Sequence, residues 1–374
     1  MSLASSPAKS PAGGVVKGSA DFNRNNLDCL RLILASVVVF FHLYALTNLP
    51  AFSIFGAYCS PHFAVRSFFV ISGLLIYRSY TRSSSIASYM EKRVRRIYPA
   101  YFTVVVVAAL ALWPLSTLAA SQYFGAGFWK YLGANLMFLN FLAPTLPGVF
   151  TSNIETPVNG ALWTLKIEVA FYLLVPVIHY LCGRFGTKRV ITAIFCLSCI
   201  WKYGFAFLAS WDSSRNADLI DGSRNIYDKL AVQFPAQLLY FAAGILLLLY
   251  FDKLKLHFLS ITGITACLYL VDHWLTRGTL DVLWISGVVF VFGFWRYFGN
   301  FSKFGDFSYG VYIVHWPILQ VLICFGLTSL PPVIFLLLSL SLVGLASVLM
   351  WYLVESRFLR AGSHYRQVSL KAPV

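Results

Sequence analysis

"RLILASVVVFFH", residues 31–42, carries a guanidinium at one end of an apolar run and an imidazole at the other. Eleven residues separate Arg31 from His42. At 100° per residue that is three turns plus about 20°, so a helix puts both on one stripe, roughly 16 Å apart along its axis. An apolar run of this length, extended to about 29–49 in its context, reads as a membrane span. Composition points the same way. Of 374 residues, 59% are hydrophobic, 17% aromatic and only 11% charged, whereas a soluble domain carries about 25% charge. Mean hydropathy is +0.72. The expected fold class is an all-α integral membrane protein.

Ten apolar runs of about membrane length can be marked, at roughly 29–49, 63–80, 97–120, 161–182, 187–208, 231–251, 256–272, 280–297, 308–328 and 332–354. "YLGANLMFLNFL" (131–142) is too short to span and reads as a re-entrant or interfacial piece. Positive charge orients the runs. With the N-terminus in the cytoplasm and strict alternation, 21 of the 29 Lys and Arg fall on the cytoplasmic side, seven fall outside, and Lys166 is left inside a span. That asymmetry supports both termini in the cytoplasm. It also accounts for the formal net charge of +15 without invoking nucleic acid. Residues 1–25 read as a small, polar, Pro/Gly-rich disordered tail with no signal-peptide core. Residues 26–358 form the transmembrane domain and 359–374 a second cytoplasmic tail. Six of the seven cysteines lie in apolar runs, and no disulfide framework or metal-ligand spacing emerges.

Depth then becomes readable. Arg31 lies at the cytoplasmic end of the first span. His42 and Glu168 each lie about seven residues from an outer end, so they are expected to meet at one depth. Each candidate carries two readings. Arg31 and His42 are either an interfacial arginine and a packing histidine, or a cationic anchor below a general base. Glu168 is either a polar lock between helices or the carboxylate that fixes the His42 tautomer. The loop "SYMEKRVRRIYPAYF" (88–102) either holds its side of the membrane or binds an anion, with Arg93 and Arg96 on one helix face. Ser308, Tyr309 and His315 in "FGDFSYGVYIVHWPI" (304–318) are secondary candidates, and Glu355 is expected where a charge can reach water.

The chain resembles the membrane acyltransferase-3 family. "NNLDCLRLILASVVVFFH" resembles that family's first span, which carries an arginine, ten residues, then a histidine. "AVRSFFVISGLLIYRSY", "KRVRRIYPAYF", "VNGALWTLKIEVAFYLLVP", "FGDFSYGVYIVHWPI" and "WYLVESRFL" resemble its later motifs, in order, between about residues 22 and 358. Arg66 and Ser67 stand where the family often has Val-Asp. Thr164 and Lys166 stand where it has serines. The resemblance implies transfer of an acyl group, usually acetyl, from cytoplasmic acyl-coenzyme A to a hydroxyl of a cell-surface or lipid-linked saccharide. It implies no permanently bound cofactor; acetyl-coenzyme A is a co-substrate. His42 would be base or acyl carrier, oriented by Glu168. Arg31, Arg93 and Arg96 would hold the donor, and Asn159 and Trp163 join the secondary candidates. A bacterial cytoplasmic membrane is the expected location. The rival is a transporter or flippase of a lipid-linked sugar, for which the sequence shows no repeated halves.

Overall fold

The computed structural model describes residues 20–215, 226–276 and 278–360, and among them there is no β-strand. Residues 1–19 and 361–374 of the two expected tails lie outside the described residues. Every marked apolar run coincides with a helix: α1 (Leu27–Thr47), α2 (Pro61–Thr81), α3 (Ile86–Ala111), then a short α4 (Ala126–Leu136), α5 (Trp163–Phe185), α6 (Thr187–Arg215), α7 (Phe234–Leu249), α8 (Phe258–Val271), α9 (Asp281–Phe294), α10 (Ser308–Cys324) and α11 (Pro332–Met350). Among the described residues, eight segments are long and apolar enough to cross a membrane, and α9 and α10 are shorter apolar helices. The protein is an all-α integral membrane protein.

Lipid gives helices no hydrophobic reason to associate, so close backbone approach and polar contacts must do it. α2 and α7 pack most extensively. Gly73 and Gly244 make that possible: a Cβ at Gly73 would collide with the Phe241 carbonyl oxygen, and one at Gly244 with the Val70 carbonyl oxygen. On the same side of the bundle, Asp281 at the start of α9 accepts from Arg66 of α2 (2.5 Å), Lys202 of α6 (2.7 Å) and the Tyr240 hydroxyl of α7 (2.7 Å). Four helices are thereby tied at one carboxylate, which gives the unusual Arg66 its counter-charge.

Prolines inside spans supply further polar contacts. A proline lacks an N–H, so the carbonyl four residues before it has no helical partner. Pro176 frees the Tyr172 carbonyl, which accepts from the Tyr89 hydroxyl at 3.2 Å. Pro317 frees the Ile313 carbonyl, which accepts from Asn159 Nδ2 at 2.8 Å.

The stretch around 131–142 is re-entrant. Tyr123 donates to the Ala109 carbonyl near the end of α3, and Tyr101, two turns back along α3, donates to the Asn135 carbonyl at 2.6 Å. α4 therefore descends alongside α3 into the bundle. The chain reverses at Phe138, whose ring stacks on Tyr101 with centroids 4.2 Å apart. Its φ of 60° is an uncommon conformation for a bulky residue. Asn135 Nδ2 closes the reversal by donating to the Tyr131 and Ala143 carbonyls. Non-helical backbone at this depth survives because protein groups satisfy it.

Packing begins before the first long helix. The tail expected over 1–25 already packs by Phe22, which is 1% exposed and lies edge-on to Phe251. Asn26 then fastens the start of α1 by donating to the Phe292 carbonyl at 3.0 Å. A single aromatic after a polar stretch carries no periodicity, so the sequence pattern misses it.

Candidate active site

The bundle has one strongly basic end, and its cations converge on buried acids. Arg31 of α1 and Arg96 of α3 both pair with Asp306, just before α10. Ser308 donates its hydroxyl to the other Asp306 oxygen at 2.6 Å. Arg96 also reaches Glu355 at 2.9 Å, and Arg31 has Asp28 at 3.6 Å. The side chains of Asp306 and Glu355 are each only 2% exposed. Glu355 was expected at water; instead a π-helical turn over Trp351–Glu355 swings it inward against Arg96. Buried charges persist in this setting only when matched, and here each arginine meets an acid. Asp306 was not singled out from the sequence. The available signal was slight: "GDFS" places a carboxylate at a helix start on the same side of the membrane as Arg31 and Arg96.

Between α1, α2, α3, α5 and α10 lies a cavity of about 610 Å³. Lys92, Arg93 and Arg96 line its basic end, Phe68, Ile71 and Leu75 line its wall, and Thr164 and Tyr312 line it deeper in. Arg31 and Arg96 face this space with their charge already matched. Lys92 and Arg93 do not: Lys92 donates to Ser83 at 3.0 Å and Arg93 to Ser79 at 3.1 Å, and among the described residues neither has a carboxylate partner. Arg93 Nε is buried and meets no hydrogen-bond partner among the described residues. Arg93 also lies over the rings of Tyr89 and Tyr172.

The histidines lie deeper still. Successive turns of α10 form a ladder: Ser308 at the ionic cluster, Tyr312 one turn on, His315 nearly another. Tyr312 and Thr164 share a hydroxyl–hydroxyl bond of 2.8 Å, which separates the cavity from the imidazoles. Beyond it His42 Nδ1 meets His315 Nε2 at 2.9 Å. His315 is fully buried and His42 is partly exposed. Trp316 packs edge-on against His42, with centroids 4.7 Å apart, and Gly160 leaves room for the indole.

The residues 150–159 cover the pair from the end opposite the arginines. Trp316 Nε1 donates to the Pro157 carbonyl at 3.1 Å, and Gln320 Nε2 donates to the carbonyls of Glu155 (2.6 Å) and Pro157 (3.0 Å). Asn153 Nδ2 in turn donates to Gln320 Oε1 at 2.8 Å.

Glu168 does not meet His42. It accepts from the Tyr172 hydroxyl at 2.6 Å, one turn along its own helix, and lines the cavity. The expectation of equal depth assumed that α5 begins at the membrane surface. It begins well inside, after a 3-10 turn over Gly160–Leu162, because the segment before it has already descended. With Thr164 level with Tyr312, Glu168 lies roughly 10 Å nearer the basic end than the imidazoles. Tyr309 donates to the Ile97 carbonyl at 3.1 Å, and Asn159 braces α10. Trp163 does not line the cavity and is 39% exposed. Lys166, the cation left within a span, lies over the Phe141 ring at 4.5 Å. Among the described residues no three His, Cys, Asp or Glu side chains gather as a metal-ligand set.

A family model described as an acyltransferase domain matches residues 24–351. The O-acetyl transferase of Shigella phage Sf6 is 30% identical over 352 residues, which cover 91% of this chain and 97% of that protein. Nodulation protein 10 of Rhizobium leguminosarum bv. viciae is 27% identical, covering 81% of this chain and 85% of its own. The O-acetyltransferase OatA of Staphylococcus aureus (strain NCTC 8325 / PS 47) is 24% identical over 90% of this chain, which spans 57% of OatA. No solved structure matches.

Proposed function

The chain belongs to the acyltransferase-3 family, and from that premise we propose that it moves an acetyl group from cytoplasmic acyl-coenzyme A to a hydroxyl of a cell-surface or lipid-linked saccharide. The observation that carries this reading is the cavity: two cations at its mouth with no carboxylate partner among the described residues, an apolar wall, and a histidine pair just beyond its deep end. Its volume of about 610 Å³ suits a flexible cofactor-sized arm. The basic end faces the cytoplasm, in keeping with the excess of Lys and Arg there. Lys92 and Arg93 hold the donor's phosphates, a task for which charge-assisted hydrogen bonds are strong. Arg31 and Arg96 shape the same entry with their acids. The pantetheine arm follows Phe68 and Ile71 inward, and its thioester arrives at Thr164 and Tyr312. Release of that hydroxyl bridge brings it to His42.

The saccharide hydroxyl comes from the opposite end, past residues 150–159. His42 takes the hydroxyl proton, and the oxygen attacks the thioester carbonyl. The carbon–sulfur bond breaks and the thiolate leaves, taking the proton back from the imidazolium. The products are an O-acyl saccharide and free coenzyme thiol. A bacterial cytoplasmic membrane gives donor and acceptor their two sides, with both termini in the cytoplasm.

The test is thiol release from acetyl-coenzyme A by reconstituted protein with a crude surface polysaccharide. Wild type is expected to release thiol and His42→Ala to fall by about 10²-fold or more, the contribution of a general base. Equal release by both proteins would refute the role of His42. Saccharide movement across the vesicle membrane without any thiol release, across a panel of acceptors, would favour the flippase reading.

A further inference from the structure

The bond between His42 and His315 determines which nitrogen of His42 is free to react. His315 Nδ1 faces the Val311 carbonyl oxygen at 3.2 Å. A carbonyl only accepts, so this nitrogen carries hydrogen. Among the described residues neither ring has a carboxylate partner, and an unmatched charge at this depth is costly, so both rings are neutral. A neutral imidazole has one N–H. His315 Nε2 is therefore a bare acceptor, and His42 Nδ1, 2.9 Å away, must donate to it. That leaves His42 Nε2 as the lone pair.

The ring geometry supports this chain. The two planes differ by 10°, and the centroids are 5.2 Å apart. That separation is close to the N···N distance plus the two ring radii. The rings thus meet edge to edge in nearly one plane, the arrangement in which N–H and lone pair point at each other. The residues around them hold the geometry. His315 is fully buried, Trp316 braces His42, and Asn159 holds the α10 carbonyl freed by Pro317.

We propose that His315 is the positioning residue for His42: a relay from the Val311 carbonyl through His315 holds His42 as the Nδ1–H tautomer, with Nε2 as the base. The role expected of Glu168 thus falls to a neutral imidazole. When His42 Nε2 takes the acceptor's proton, the ring becomes an imidazolium whose Nδ1–H still points at the His315 lone pair. His315 gains and loses no proton in the cycle. A neutral partner suits this depth, because it orients the base without adding a permanent charge to the membrane interior.

This inference rests on His42 being the base, so the test separates the two claims. Full-length protein labelled with 15N-histidine is reconstituted in nanodiscs, and the His42 signals are identified by their loss in His42→Asn. Wild type is expected to show a protonated Nδ1 and an unprotonated Nε2 at His42. Protonation at Nε2 instead would overturn the proposal, whatever the kinetics. In thiol release, His315→Ala is expected to lose about 10²-fold in kcat, with KM for acetyl-coenzyme A within about twofold. His315→Gln, whose carbonyl can accept from His42 Nδ1, is expected to recover about tenfold of that loss. Equal losses in Ala and Gln, or an unchanged kcat in Ala, would refute the positioning role. If His315→Ala fails to fold, the wild-type tautomer still decides. Full activity in His42→Asn would instead defeat the reading of His42 as base.

Discussion

Asp306→Ala is predicted to destabilise the basic end of the bundle by about 3 kcal/mol and to disable the donor entry. One carboxylate is shared by Arg31 and Arg96, and its side chain is 2% exposed. Breaking a buried ion pair from one side costs roughly 3–5 kcal/mol, because the orphaned charge stays behind. Here two cations are orphaned, but neither completely: Arg96 keeps Glu355 at 2.9 Å and Arg31 keeps Asp28 at 3.6 Å. The two arginine side chains are 13% and 16% exposed and line the cavity, so water screens part of the loss. Ser308 also loses its acceptor, worth about 1 kcal/mol. These terms together leave about 3 kcal/mol. The assay is equilibrium unfolding in mixed micelles for wild type, Asp306→Ala, Arg96→Ala and the double variant. Removing both partners should cost less than the sum of the single losses, with a coupling of about 1–3 kcal/mol. If Asp306→Ala unfolds within about 0.5 kcal/mol of wild type, or the two losses simply add, the cluster does not hold the entry and the argument fails.

Two further predictions concern the entry and the scaffold. Arg93→Ala is expected to raise KM for acetyl-coenzyme A by about 10- to 100-fold, the worth of a charge-assisted bond to phosphate, with little change in unfolding; donor titration checks this, and an unchanged KM would remove Arg93 from the donor site. Gly244→Ala is expected to cost about 3 kcal/mol or more, because the added carbon meets a backbone carbonyl that cannot rotate away; the yield of monodisperse protein after detergent extraction reports it, and a normal yield would show that α2 and α7 separate more easily than their packing implies.

The ionic cluster and the histidine pair use the membrane differently. At the basic end, Arg31 and Arg96 are retained because acids match them, and water is near. Deeper in, the same helices present neutral hydrogen-bonding groups: the Thr164–Tyr312 hydroxyls, then two imidazoles. Polarity falls with depth while hydrogen-bond satisfaction is kept, as an apolar solvent requires. A charged donor head and an uncharged reacting centre can then share one path.

The sequence by itself determined what contiguous residues determine. The spans, the stripe that carries Arg31 and His42, and the shortness of 131–142 that keeps it from spanning follow from helical periodicity and length, which are properties of local backbone hydrogen bonding. Only the tertiary structure decided who faces whom. His42 pairs with His315, 273 positions away, and not with Glu168. Arg31 finds Asp306 across 275 positions. Glu355 turns inward where a π-helical turn redirects it. Each pairing depends on the rotation of a helix about its axis and on the depth at which it starts. α5 shows the consequence: its residues were legible as a helix, but its starting depth was set by how far the preceding segment descends between α3 and α10. Close glycine contacts, proline-freed carbonyls and shared carboxylates set those rotations and depths, and all of them act between residues far apart in the chain.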